Sequence, residues 1–127
     1  MKRILLSSVI ILSAFNLYAS ARWVFIGSNS RNYVFFVDAN SIQKSGDSYT
    51  FWEKVNYPER NKWGAFSSKN QRTVNCRTRE SIFRFMIFYD DIDNAGKLTN
   101  SFDPKDSWEP IPPDSVNWAS YKYVCDK

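Results

Sequence analysis

Four arginines, Arg72, Arg77, Arg79 and Arg84, fall within 13 positions of one another. A guanidinium presents a planar fork of N–H donors that suits carboxylates, sulfates and phosphates. If Arg77 and Arg79 continue a strand, they share a face. An exposed stripe of this kind would bind an acidic polymer or protein. The alternative is an ordinary solvated strand face, with the arginines paired to Glu80 and nearby aspartates. A second segment, Lys54, Arg60, Lys62 and Trp63, combines positive charge with an indole near a loop. Trp63 either stands exposed for binding or tucks over the edge of a sheet.

The run Asp90-Asp91-Ile92-Asp93-Asn94-Ala95-Gly96 is acidic enough to suggest calcium, which takes oxygen ligands at fixed positions of a loop. Counted from Asp91, the third and sixth positions fit, as Asp93 and Gly96. Ala95 offers no side-chain ligand at the fifth, and Phe102 stands at the twelfth, where a bidentate Glu is needed. The run is expected to be a solvated hairpin tip without a metal, the alternative being a weak, irregular calcium site. Histidine is absent from the chain. That removes His-dependent triads, Cys–His dyads and most zinc sites together. No carboxylate pair stands out on a recognisable cleft. The expectation is a non-enzymatic protein without a cofactor.

The first residues bear on the two cysteines. Lys2 and Arg3 precede a mostly apolar stretch from Leu5 to Phe15, and Ala19-Ser20-Ala21 has the small-x-small pattern of a cleavage site. This order reads as a cleavable signal peptide over residues 1–21; its apolar run is too short for a comfortable membrane span of ~20 residues, and the alternative is an uncleaved N-terminal anchor. Residues 22–127 are then the mature domain, with no membrane span after cleavage. In an exported chain two cysteines read as a disulfide, so Cys76 and Cys125 are expected to be bridged, the alternative being two buried thiols. Removing Lys2 and Arg3 from the 17 basic residues leaves 15 against 13 acidic ones, a net charge of +2. That is too weak to argue for nucleic acid as a partner.

Aromatic residues make up 17% of the chain, with five Trp, seven Tyr and ten Phe. They favour strands. Trp23–Ile26 and Tyr33–Val37 are short apolar runs separated by a Gly27–Ser30 turn, and Asp38 can cap a short helical turn. Ser48–Tyr57 is the clearest strand: Tyr49, Phe51, Val55 and Tyr57 share one face with Glu53 as the exception, and Thr50, Trp52, Lys54 and Asn56 share the other. Ala65–Asn75 is polar, and a strand leading into Cys76 is the expectation. Ser81–Tyr89 is apolar on both faces and reads as a central strand, with Lys97–Phe102 returning beside it. Pro110, Pro112 and Pro113 are expected to forbid a ladder there. Asp114 or Ser115 then caps a helix to about Val124, with Val116, Ala119, Tyr123 and Val124 as its packing stripe. Trp118, Tyr121 and Cys125 occupy a neighbouring face.

Several markers recur in a fixed order. Trp23 opens the domain, and Phe36-Val37-Asp38, Ser41-Ile42 and Ser45-Gly46 follow. A Trp-bearing strand runs from Tyr49 to Val55, Asn75-Cys76 precedes Arg77 and Arg79, and Trp108 stands before Pro110, Pro112 and Pro113. A helix closes with Val124-Cys125. In this order the chain resembles the surface-adhesin protein E family of Gram-negative bacteria. The resemblance implies an α+β fold: an antiparallel sheet of about five or six strands, a packed C-terminal helix and a Cys76–Cys125 bridge. It also implies a non-enzymatic binding role toward a protein or acidic macromolecule of the host matrix or cell envelope. A lipid-anchoring cysteine is missing near Ala21, so a periplasmic location is expected ahead of secretion or surface display. Arg72, Arg77, Arg79, Arg84, Lys62 and Trp63 are the candidate binding residues. The rival expectations are a periplasmic accessory or inhibitor-type protein whose partner is another bacterial protein, and a small-ligand binder with an aromatic-lined groove.

Overall fold

The alternation through Ser48–Asn56 places that segment at the middle of the fold. A computed structural model of the chain describes residues 20–104 and 107–126. The signal segment expected over residues 1–21 thus lies almost wholly outside the described residues. The strands are β1 (Trp23–Ser28), β2 (Val34–Asp38), β3 (Gln43–Ser45), β4 (Ser48–Asn56), β5 (Ser67–Asn75), β6 (Glu80–Tyr89), β7 (Leu98–Phe102) and β8 (Glu109–Pro110), and one α-helix follows, α1 (Val116–Cys125). All pairings are antiparallel, in one sheet of order β1-β2-β4-β5-β6-β7. The three long strands β4, β5 and β6 are its frame. The outer edge of β4 is shared by β2 and β3, and that of β6 by β7 and β8.

One face of the frame is covered. Val37, Tyr49, Phe51, Val74 and Ile111 pack with Tyr121 and Val124 of α1, all buried. Ser115 caps the helix by accepting from the Trp118 N–H at 3.1 Å, and its own hydroxyl donates to the Pro112 carbonyl at 2.7 Å. The far end of α1 is tied down twice. Cys125 is bridged to Cys76, with Cα atoms 5.8 Å apart. The Tyr121 hydroxyl donates to the Cys76 carbonyl at 2.8 Å.

Several expectations change in detail. The packing stripe of α1 is Ser120, Tyr121 and Val124; of the expected stripe only Val124 is buried. The reason is a buried guanidinium beneath the helix, which draws polar Asn117 inward as a hydrogen-bond acceptor. β1 runs through Gly27 and Ser28 over a bulge, and the turn falls at Asn29–Asn32 instead, where the Asn29 side chain accepts from the Arg31 and Tyr33 N–H groups. Pro110 does join a ladder: Glu109–Pro110 pairs with Glu80–Ser81, and the Ile111 N–H donates to the Arg79 carbonyl at 3.0 Å. An edge strand tolerates proline when its missing N–H points away from the partner. β6 has partners on both sides, yet the polar strand β5 beside it is the more deeply buried.

Candidate functional site

The four arginines do not form a stripe. β5 ends at Asn75, whose side chain accepts from the Arg77 and Thr78 N–H groups and closes a tight turn. The alternation that would align Arg77 with Arg79 therefore stops. Arg77 is exposed and pairs with Asp47 at 3.1 Å. Arg79 sits exposed in the turn at φ 60°. Arg72 is 0% exposed and is a core residue. Its Nη1 pairs with Glu53 at 3.1 Å and also donates to Asn117, while Nη2 donates to Ser81. Phe83 and Phe51 lie against the guanidinium with centroids at 5.1 and 5.9 Å. Glu53, the carboxylate that breaks the apolar face of β4, is the partner that this buried cation requires.

Trp63 packs on Phe88 and Phe102 on the helix side of the sheet, with centroids 4.8 and 5.3 Å away, and Lys62 lies over its ring at 4.5 Å. A groove of about 420 Å³ opens beside it, lined by Arg31, Tyr33, Tyr57, Met86 and Phe88 among others. Burial raises the pKa of the Tyr57 hydroxyl, and its hydrogen bond to Ser68 opposes that shift. The acidic run is not a free tip. Asp93 accepts from Lys54 at 3.0 Å and Asn56 at 2.8 Å, and the Asn94 N–H donates to Ser67, so the run docks on the sheet. These bonds from Asn56 and Lys54 lower the Asp93 pKa.

The second face of the sheet carries what remains. A bulge in β6 opposite Gln71–Arg72 leaves Arg84 outside the pairing register, and Phe85 opposes Gln71. Arg84 Nε donates to the Thr73 hydroxyl at 3.2 Å, so Arg84 and Phe85 leave β6 on the same side, away from α1. On that side each cation rests on an aromatic ring. Lys54 lies 4.6 Å from Phe36 and 5.1 Å from Trp23; Lys69 lies 4.9 Å from Trp52; Arg84 lies 5.8 Å from Trp108. Phe25, Phe85 and Trp108 are exposed. The Asp93 loop borders one end of this face, and the segment around Trp108 borders the other. At the Trp108 end is a cleft of about 430 Å³ lined by Ser45, Ser48, Thr50, Gln71 and Thr73 with Arg84 and Trp108. Of the six candidate binding residues named from the sequence, Arg84 alone belongs to it. Trp52, Lys69 and Trp108 were not among those candidates. The signal for Trp52 lay in the polar-aromatic face of β4, where Thr50, Trp52 and Lys54 alternate with the core residues.

Such a face can bind by stacking and by charge. Among the described residues no cluster of His, Cys, Asp and Glu is placed to hold a metal. No described helix is long and apolar enough to cross a membrane.

The family model described as surface-adhesin protein E matches residues 23–126. A crystal form of Haemophilus influenzae protein E shares the fold with a TM-score of 0.61 at 20% identity, over 86% of this chain and 91% of that one. Protein E from non-typeable Haemophilus influenzae aligns with a TM-score of 0.55 at 20% identity, over 87% of this chain and 79% of that one. No curated protein matches the chain significantly.

Proposed function

This chain belongs to the surface-adhesin protein E family, and we propose that it is an exported, non-enzymatic binding domain that contacts macromolecules of the host matrix or cell envelope. The observation that carries the reading is the uncovered sheet face. Lys69 and Arg84 are held there against the Trp52 and Trp108 rings. A cation fixed on a ring has given up little further freedom when a ligand arrives, and flat aromatic surface provides area at low entropic cost. Export follows from residues 1–21 acting as a cleaved leader, so N-terminal sequencing of the protein from the envelope fraction should begin at Arg22.

The test is capture. The protein purified from the envelope fraction is immobilised and exposed to matrix proteins and, separately, to an envelope extract. Trp52→Ala and Lys69→Glu should each lower capture several-fold, while Lys62→Glu, on the helix side, should leave it unchanged. Capture from the envelope extract alone would place the partner among bacterial proteins. Capture indifferent to both sheet-face changes would overturn the reading.

A further inference from the structure

We propose that the cleft on the uncovered face is a subsite for an acidic saccharide, a hexuronate unit within a polysaccharide. Arg84 would hold its carboxylate, and Trp108 would lie against the face of its ring. The inference rests on the reading of this face as the binding surface and names the ligand.

The cleft, at about 430 Å³, falls toward the lower end of the ~300–1,000 Å³ typical of small-ligand sites. Its lining has three kinds of group. Among the described residues Arg84 is the one cation that lines the cleft, and no acidic residue lines it. The Nε–H of Arg84 is committed to the Thr73 hydroxyl at 3.2 Å, which orients the guanidinium. Among the described residues no carboxylate lies within ion-pair distance of it. This guanidinium differs from those of Arg72 and Arg77, which already have Glu53 and Asp47. An oriented fork with no counter-ion among the described residues suits a carboxylate in the two-bond geometry.

The second group is the Trp108 indole, 40% exposed and close to Arg84. The π face of an indole is electron-rich, and the carbon-bound hydrogens of a pyranose ring carry partial positive charge. A sugar ring can therefore lie flat on it. The third group is the row of Ser45, Ser48, Thr50, Thr73 and Gln71. The Thr50 and Thr73 hydroxyls already share a hydrogen bond at 2.8 Å. Each hydroxyl can donate once and accept twice, and the amide does both, which is what ring hydroxyls require. A densely charged polymer such as nucleic acid or a sulfated chain is matched by rows of cations. One guanidinium beside five polar neutral groups matches one carboxylate per sugar.

The probe is a hyaluronate hexasaccharide, titrated into the envelope-purified protein by calorimetry and by NMR. Binding should shift the Trp108 indole N–H resonance. Arg84→Gln and Trp108→Ala should each lower affinity about tenfold or more, and Gln71→Ala several-fold, with spectra that otherwise match the parent. A neutral chitin hexasaccharide and polyglutamate should bind at least tenfold more weakly. The proposal is overturned if Arg84→Gln binds as well as the parent, or if polyglutamate or heparin binds equally well without moving the Trp108 resonance. It is also overturned if neither hyaluronate nor an oligogalacturonate binds. In that last case, capture that still depends on Trp52 and Lys69 would leave the binding-domain reading standing; loss of both would end both.

Discussion

Glu53 and Arg72 explain each other. Both are essentially without solvent contact, at 1% and 0% exposed. Neither could be buried ionised alone, because an unpaired charge in a core costs several kcal/mol. Glu53→Gln should therefore destabilise the domain by about 3–5 kcal/mol in urea unfolding, by leaving Arg72 uncompensated. The double replacement Glu53→Leu with Arg72→Met should recover most of that loss, since apolar pairs of similar volume often do as well as a buried ion pair. Glu53 was legible in the sequence as the odd residue on an apolar face. Its partner was not, because Arg72 lies in a polar strand and its neighbours in sequence suggested a surface cluster. Proximity along the chain grouped Arg72 with Arg77 and Arg79. The register pairs Arg72 with Phe51 and Phe83 instead, and so takes it into the core.

At the scale of elements, the periodic segments were readable and the docked loops were not. Ser48–Asn56, the hairpin Glu80–Phe102 and the capped helix follow from alternation, turn residues and Ser115. Ser115→Ala should cost about 1 kcal/mol through loss of the cap, read by thermal or urea unfolding. The Asp93 loop shows why an acidic turn could not be placed from sequence. Its ties run to Lys54 and Asn56 on β4, 39 and 37 positions away. Those ties lower the Asp93 pKa. The folded state thus binds the Asp93 proton less readily than the unfolded chain. The resulting stabilisation is present above the ordinary carboxylate pKa and fades as pH falls through the depressed one. Asp93 is well exposed, so the effect is modest. Asp93→Asn should flatten the acid limb of the stability–pH curve in that window and leave neutral stability little changed. The helix stripe was misread for the same non-local reason: Arg72, 45 positions upstream of Asn117, decides which side faces in.

The molecule as a whole is a sheet whose apolar cluster of Val37, Tyr49, Phe51, Val74 and Ile111 lies on one side, under a short helix. Small exported domains offset a thin core with covalent links. The link here joins the end of β5 to the last turn of α1, across 49 positions. Closing a loop of that length removes unfolded-state entropy worth about 4 kcal/mol. Replacing both cysteines by Ala should lower unfolding stability by about that amount. The protein should still fold in the cold, because the Tyr121 hydroxyl and the apolar contacts of Val124 continue to hold the helix. The pH profile carries a matching signature of the whole chain. There is no histidine, so no side chain with an ordinary pKa titrates between pH ~5 and ~8. Tyr57 binds its proton more tightly when folded. Its contribution is complete below the ordinary tyrosine pKa and lost as pH rises through the raised value. Unfolding followed by fluorescence should therefore give a flat plateau through neutrality, with Asp93 contributing modestly to its fall on the acid side and Tyr57 to its fall on the alkaline side. Tyr57→Phe should extend the alkaline end, and a sloped plateau would show that a group other than these two governs the folded state.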